Sequence, residues 1–152
     1  MMKWEIKQFE ELTNMELYQI IKQRINIFVV EQECPYLECD GKDINSFHLF
    51  AKVQDQLIAY SRILPPGISF AEASIGRVIV NEDYRRQGIG TVLMKRAINF
   101  IENNLQEKTI RISAQEYAID FYKNVGFRVD SNIYLEDDIL HVEMIYEKNK
   151  YH

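Results

Sequence analysis

From Trp4 to Phe9 apolar residues alternate with charged ones, the period-two pattern of a short half-buried strand. Thr13 then stands three residues before Glu16, the spacing of a capping box, and a helix is expected to start there. Leu17, Ile20, Ile21, Arg24, Ile25 and Phe28 follow at mostly apolar helical spacing. That helix should bury one face as far as about Phe28, with Val29 and Val30 leading into irregular chain. Between Glu31 and Ser46 neither period holds. Glu31, Glu33, Glu38, Asp40 and Asp43 accompany a lone Lys42, together with Pro35 and Gly41, so the stretch reads as a long acidic loop of a length that usually carries function.

Phe47 to Val53 and Leu57 to Leu64 flank Gln54-Asp55-Gln56 as a hairpin, and Pro65-Pro66-Gly67 breaks the chain after it. Ser74 to Val80 reads as a buried strand. A polar turn from Asn81 to Gln87 separates it from a helical pattern of Ile89, Val92, Leu93, Ala97, Phe100 and Ile101. Thr109 to Ala114 is a further strand, and Tyr117 to Asn124 a short helix stopped near Gly126. Phe127 to Tyr134 and Ile139 to Tyr146 close the chain as a hairpin around Glu136-Asp137-Asp138. No repeat, linker or low-complexity segment interrupts the order, so residues 1–152 are expected to form a single domain.

Composition narrows the class. A chain of 152 residues can hide roughly 68 to 70% of its unfolded surface, enough for a core without staples. An apolar share of 47% with 27% charged residues is that of a globular protein, not a disordered one. The net charge of -5 argues against nucleic acid as the main partner. Lys3, Glu5 and Lys7 interrupt the first residues and no apolar run approaches membrane-spanning length, so a cytoplasmic setting without a membrane partner is expected. Cys34 and Cys39 lack both a second pair and a zinc-site histidine spacing. They read as reduced thiols, and no metal is expected.

The chemistry centres on Arg85-Arg86-Gln87-Gly88-Ile89-Gly90, which joins a strand to a helix. A helix start offers unpaired N–H groups and a partial positive charge, both suited to phosphate. Gly88 and Gly90 remove side chains that would hold the ligand away, and Arg85 and Arg86 favour a multiply phosphorylated one. A dinucleotide fingerprint would need glycine where Leu93 stands, and the Gly-Lys-Ser/Thr of a P-loop is absent. The plain alternative is a basic turn whose glycines only let a helix pack.

This hexamer after Ile75-Gly76-Arg77-Val78-Ile79-Val80, with Ala118 through Phe127 downstream, resembles the two-part signature of the GNAT (GCN5-related) N-acetyltransferases. Phe28 to Tyr36 with Asp40-Gly41-Lys42-Asp43, and Glu136 to Met144 with His141, resemble its ElaA-like branch, apart from Asp138 where that branch would have glycine. The resemblance implies an α+β (α/β/α) fold: a mixed, mostly antiparallel central sheet flanked by helices and splayed between its fourth and fifth strands. It implies acetyl-CoA as cosubstrate and a primary amine as acceptor. Val78, Ile79 and Val80 would meet pantetheine, Arg85, Arg86, Gln87, Gly88, Ile89, Gly90 and Thr91 the pyrophosphate, and Phe121 and Tyr122 the same arm.

Acetyl transfer to an amine needs a neutral nitrogen, a stabilised oxyanion and a proton for the departing thiolate. Tyr122 is the candidate acid, although Ala118, Phe121, Tyr122 and Val125 also share the spacing of a core-facing helix. Glu31, His48 and His141 are candidate bases, and Tyr36, Glu38, Asp40 and Asp43 candidate acceptor contacts. An acid-rich loop at the acceptor mouth would draw in a cationic small molecule or peptide. The other reading is a non-catalytic acyl-CoA-binding module. Exposed edges of the closing hairpin would suit a homodimer.

Overall fold

Thr13 starts a helix by the expected device. Its hydroxyl accepts from the Glu16 N–H at 3.1 Å and the Glu16 carboxylate accepts from the Thr13 N–H at 2.9 Å, satisfying donors that a helix start leaves open. In the computed structural model, which describes residues 1–148, this helix is α1, Asn14–Arg24. It does not dissolve at Val29 as expected. It widens into a π-helix over Ile25–Glu31, a rare geometry that concentrates at functional sites.

Two antiparallel sheets carry the rest. β1 (Met2–Gln8), β2 (Phe47–Val53), β3 (Gln56–Leu64) and β4 (Ser74–Val80) pair in that order. In the second sheet β8 (Ile139–Glu147) pairs with β5 (Thr109–Gln115), β6 (Arg128–Val129) and β7 (Tyr134–Glu136). A parallel bridge between Ala73 and Ile110 joins the sheets, with the Arg111 N–H donating to the Ala73 carbonyl at 2.9 Å. Beyond that bridge β4 and β5 are not paired. The expected mixed sheet, splayed between its fourth and fifth strands, is therefore present.

α2 (Ile89–Asn103) packs on one face of this framework. Its buried stripe is Ile89, Leu93, Met94, Ala97, Ile98 and Ile101, with Phe100 packed at the edge and Val92 left 42% exposed, so the face read from the sequence holds apart from Val92 and widens to take in Met94 and Ile98. Those side chains join Leu49, Ala51, Ile63, Ile112, Ala114 and Met144 in the main core, each large apolar member contributing roughly 1.5 to 3 kcal/mol by burial. α1 covers the other face through Ile20, which meets Phe50, Leu57, Tyr60 and Ile79. α3 (Ile119–Asn124) begins two residues later than expected because Glu116–Ala118 forms a 3-10 turn. No helix of the described residues is long and apolar enough to cross a membrane.

Candidate active site

Gly88 caps α2 in a left-handed conformation, φ 79°, which glycine adopts without a Cβ penalty. No side chain caps this helix and no acid lies in its first turn. The Val92 N–H is the one that bonds back to Gly88, at 3.2 Å, so the donors of Ile89, Gly90 and Thr91 have no helical partner and point outward with the positive end of the dipole. The Ile89 side chain is buried in the core and fixes the turn, while Arg85, Arg86 and Gln87 are exposed around it. Gly90 gives room to its neighbour: a Cβ there would lie 3.4 Å from the Phe121 ring.

From this cradle the gap between β4 and β5 leads inward. The Asn81 N–H donates to the Ile58 carbonyl at 2.7 Å, which turns Asn81 and, by alternation, Ile79 toward β3. Val78 and Val80 therefore direct their backbone groups into the gap. Ile79 does not belong to the gap, since its side chain is buried on the α1 face. Arg85 reaches over the opening, its Nε donating to the Val80 carbonyl at 3.0 Å and its guanidinium lying 3.5 Å from Glu31. Gln32 and Gln115 span the same opening with reciprocal amide bonds of 3.2 Å.

The gap widens into a cleft of about 690 Å3 lined by Val78, Tyr122, Gln115, Tyr117, Tyr36 and His141 among others. Tyr122 is half-buried, and burial, followed by the nearby Tyr117, pushes its phenol above the ordinary value. It is therefore protonated at neutral pH, the state in which a general acid must start. His141 Nδ1 lies 2.7 Å from the Ile139 carbonyl, and Nε2 lies 3.7 Å from Glu136. A carbonyl only accepts, so Nδ1 carries a hydrogen, and Nε2 is the nitrogen turned toward the carboxylate. The ring stacks on Tyr134, centroids 6.0 Å apart.

The acidic loop is not the open field of carboxylates its sequence suggests. Glu38 and Asp43 are buried, Asp40 is half-buried, and the three alternate with arginines in a closed ring. Arg24 bonds Glu38 and lies 2.8 Å from Asp43; Arg62 lies 2.9 Å from both Asp43 and Asp40; Arg77 lies 2.9 Å from Glu38 and 3.4 Å from Asp40. Three guanidinium charges thus answer three carboxylates, and the loop's attraction for a cation is largely spent inside the protein. Burial pushes the Asp40 carboxyl up, but bonds from Arg62 and the Lys42 N–H, with the charges of Arg62 and Arg77, bring it down to about 2.

Two candidate bases lie elsewhere. His48 is 1% exposed, with one ring nitrogen 2.6 Å from the Tyr60 hydroxyl and the other 2.9 Å from the Asp43 carbonyl, and it is absent from the cleft wall. Burial holds it below the usual histidine value, so it is a neutral brace for the ring. Glu31 sits outside the cleft, against Arg85. Of the acceptor candidates, Tyr36 and Asp40 line the cleft, and Glu38 and Asp43 stand behind it.

Sequence reasoning missed Arg62, Arg77, Gln32, Gln115 and Glu136. The available signal was an arginine at a core position: Arg24 lies in the apolar stripe of α1 and is 0% exposed. Arg77 is aimed by an irregularity in β4, where the β3 register shifts and Arg77 takes φ 52°. Its guanidinium stands 5.9 Å from the Phe28 ring and 5.6 Å from Tyr36.

Residues 12–148 match the family model described as the acetyltransferase (GNAT) domain. A UPF0039 protein of Schizosaccharomyces pombe is 42% identical over 91% of this chain and 92% of its own length. Protein ElaA of Escherichia coli is 34% identical over 97% of each chain, and its crystal structure superposes with a TM-score of 0.90, covering 97% of this chain and 100% of that one. An acyl-CoA N-acyltransferase from Pseudomonas aeruginosa also superposes with a TM-score of 0.90 at 38% identity, covering 96% of this chain and 99% of that one.

Proposed function

The chain belongs to the GNAT acetyltransferase family, on its ElaA-like branch, and from that premise we propose that it transfers an acetyl group from acetyl-CoA to a primary amine directly, within a ternary complex. One observation carries the reading: α2 starts uncapped, β4 and β5 are not paired along the strands that precede and follow it, and Val78 of β4 lines the same cleft as Tyr122 and His141. The pyrophosphate sits on the N–H groups of Gly88 to Thr91 between Arg85 and Arg86. Pantetheine lies along Val78 and Val80, flanked by Phe121, and the Val78 N–H faces the thioester oxygen as its oxyanion donor.

The acceptor enters as an ammonium and gives one proton to His141 Nε2, whose imidazolium then faces Glu136. The neutral nitrogen attacks the thioester carbon, the C–S bond breaks, and the thiolate takes the Tyr122 proton. The second nitrogen proton restores the phenol as the amide forms, and His141 returns its proton to solvent. The free thiols Cys34 and Cys39 suit the reducing cytoplasm, where we place the enzyme. The test is thiol release from acetyl-CoA in the presence of a broad panel of primary amines. Amine-dependent release at a rate well above hydrolysis is expected. Tight acetyl-CoA binding with no release from any amine would reduce the protein to a binding module.

A further inference from the structure

Lys42 is the cation that the charge ring leaves over. It is half-buried and lines the cleft, yet its Nζ donates to the neutral Ser69 hydroxyl at 2.9 Å and has no carboxylate within salt-bridge distance among the described residues. Arg77 is incompletely used beside it. Its Nε is spent on Glu38 and its Nη2 on Asp40, while Nη1 bonds to no described residue. The aromatic rings of Phe28 and Tyr36 hold this guanidinium in place, which leaves its fork pre-set and not searching. Elsewhere in the cleft lining Glu136 stands 3.7 Å from His141.

A cleft with a spare ammonium and a spare guanidinium N–H at one place in its lining, and a histidine with a carboxylate beside it at another, matches a dipolar molecule. We propose that the acceptor is an amine that also bears a carboxylate, of amino-acid type, its acid group held by Lys42 and Arg77 while its amine faces His141. The inference rests on the acetyl-transfer reading and deepens it. A carboxylate fits the two free donors better than a phosphate does, because a dianion would also meet Asp40, which lines the cleft beside Arg77. The excess positive charge there is a single Lys42, which one carboxylate cancels.

The test compares matched acceptors in the thiol-release assay: glycine, β-alanine, 4-aminobutyrate and a set of L-amino acids, each beside its amide. At least one acid should exceed its own amide tenfold or more in kcat/KM. Lys42→Met should bring that ratio to within about threefold, mainly by raising KM for the acid, and Lys42→Arg should restore most of it. Calorimetric titration with coenzyme A and a thermal melt establish that each variant is folded and keeps its donor site. Amides turned over as well as their acids, or a ratio unmoved by Lys42→Met, would overturn the carboxylate subsite while leaving acetyl transfer standing. Absence of release from acids, amides and simple amines alike would overturn both.

Discussion

At the scale of the residue, the proposed reaction divides its proton traffic between Tyr122 and His141. Burial keeps the phenol protonated, and the Ile139 carbonyl engages Nδ1 and leaves Nε2 turned toward Glu136. Tyr122→Phe removes the acid but keeps the ring that meets Phe121 and Phe127 edge-on. Its kcat should fall by about 10²-fold, within the range of general-acid effects, while coenzyme A affinity measured by titration stays within a factor of about 3. Unchanged turnover would remove Tyr122 from the mechanism. The elements proposed to hold the donor were legible because they depend on local chain order: glycines at a strand-to-helix turn before α2, and an aromatic pair on α3. The acceptor half was not. His48 and His141 look alike in sequence, and what separates them is long-range: Tyr60 and Asp43 enclose one, and the β7–β8 pairing turns the other into the cleft.

At the scale of the element, the β7–β8 turn holds Asp137 and Asp138 at φ 49° and 62°, the two consecutive left-handed positions of a type I′ hairpin. An aspartate tolerates this conformation and glycine prefers it. Asp138→Gly should therefore stabilise the protein by up to about 1 kcal/mol, seen as a rise in Tm of roughly 2 to 4 °C. A fall in Tm would mean that the Asp138 side chain matters more than its backbone. Capping and turn signals placed most elements well, because they act over three or four residues. They failed where packing decides. α2 turns Met94 and Ile98 inward as well and leaves Val92 outside, because the sheet it covers, not its own period, selects the face. The π-helix at Ile25–Glu31 follows from tertiary contacts that carry Gln32 to Gln115 and Glu31 to Arg85, and no local pattern announces it.

At the scale of the whole molecule, charge is buried at two places that tie distant segments together. One is the ring around Arg24, Arg62 and Arg77. The other is Glu16, which joins α1 to β1 and β2 through Lys7 and Lys52. Burial pushes the Glu16 carboxyl up, but bonds from Lys52, the Thr13 N–H and Lys7 outweigh it and bring the value to about 2, as the arginines do for Asp40. Both carboxyls titrate lower in the folded chain than in the unfolded one, so their contribution is complete above roughly pH 4.5. It is lost as pH falls from there toward 2, because the unfolded chain then binds more protons. Urea midpoints should accordingly drop between pH 5.5 and 3, and Glu16→Gln should lessen that drop. An equal slope in the variant would place the acid sensitivity elsewhere.

The ring has a further consequence, for descent. Each of its six members serves two neighbours of opposite sign, so losing one leaves two like charges facing each other, with least water to separate them around Arg24, Glu38 and Asp43. A lineage cannot drift at one corner and repair the damage there; it must change a second corner of opposite charge, or keep all six. The six ring residues would thus be inherited as a block, and divergence at this face of the cleft would fall mainly on side chains outside the ring, such as that of Lys42, whose backbone alone bonds to it.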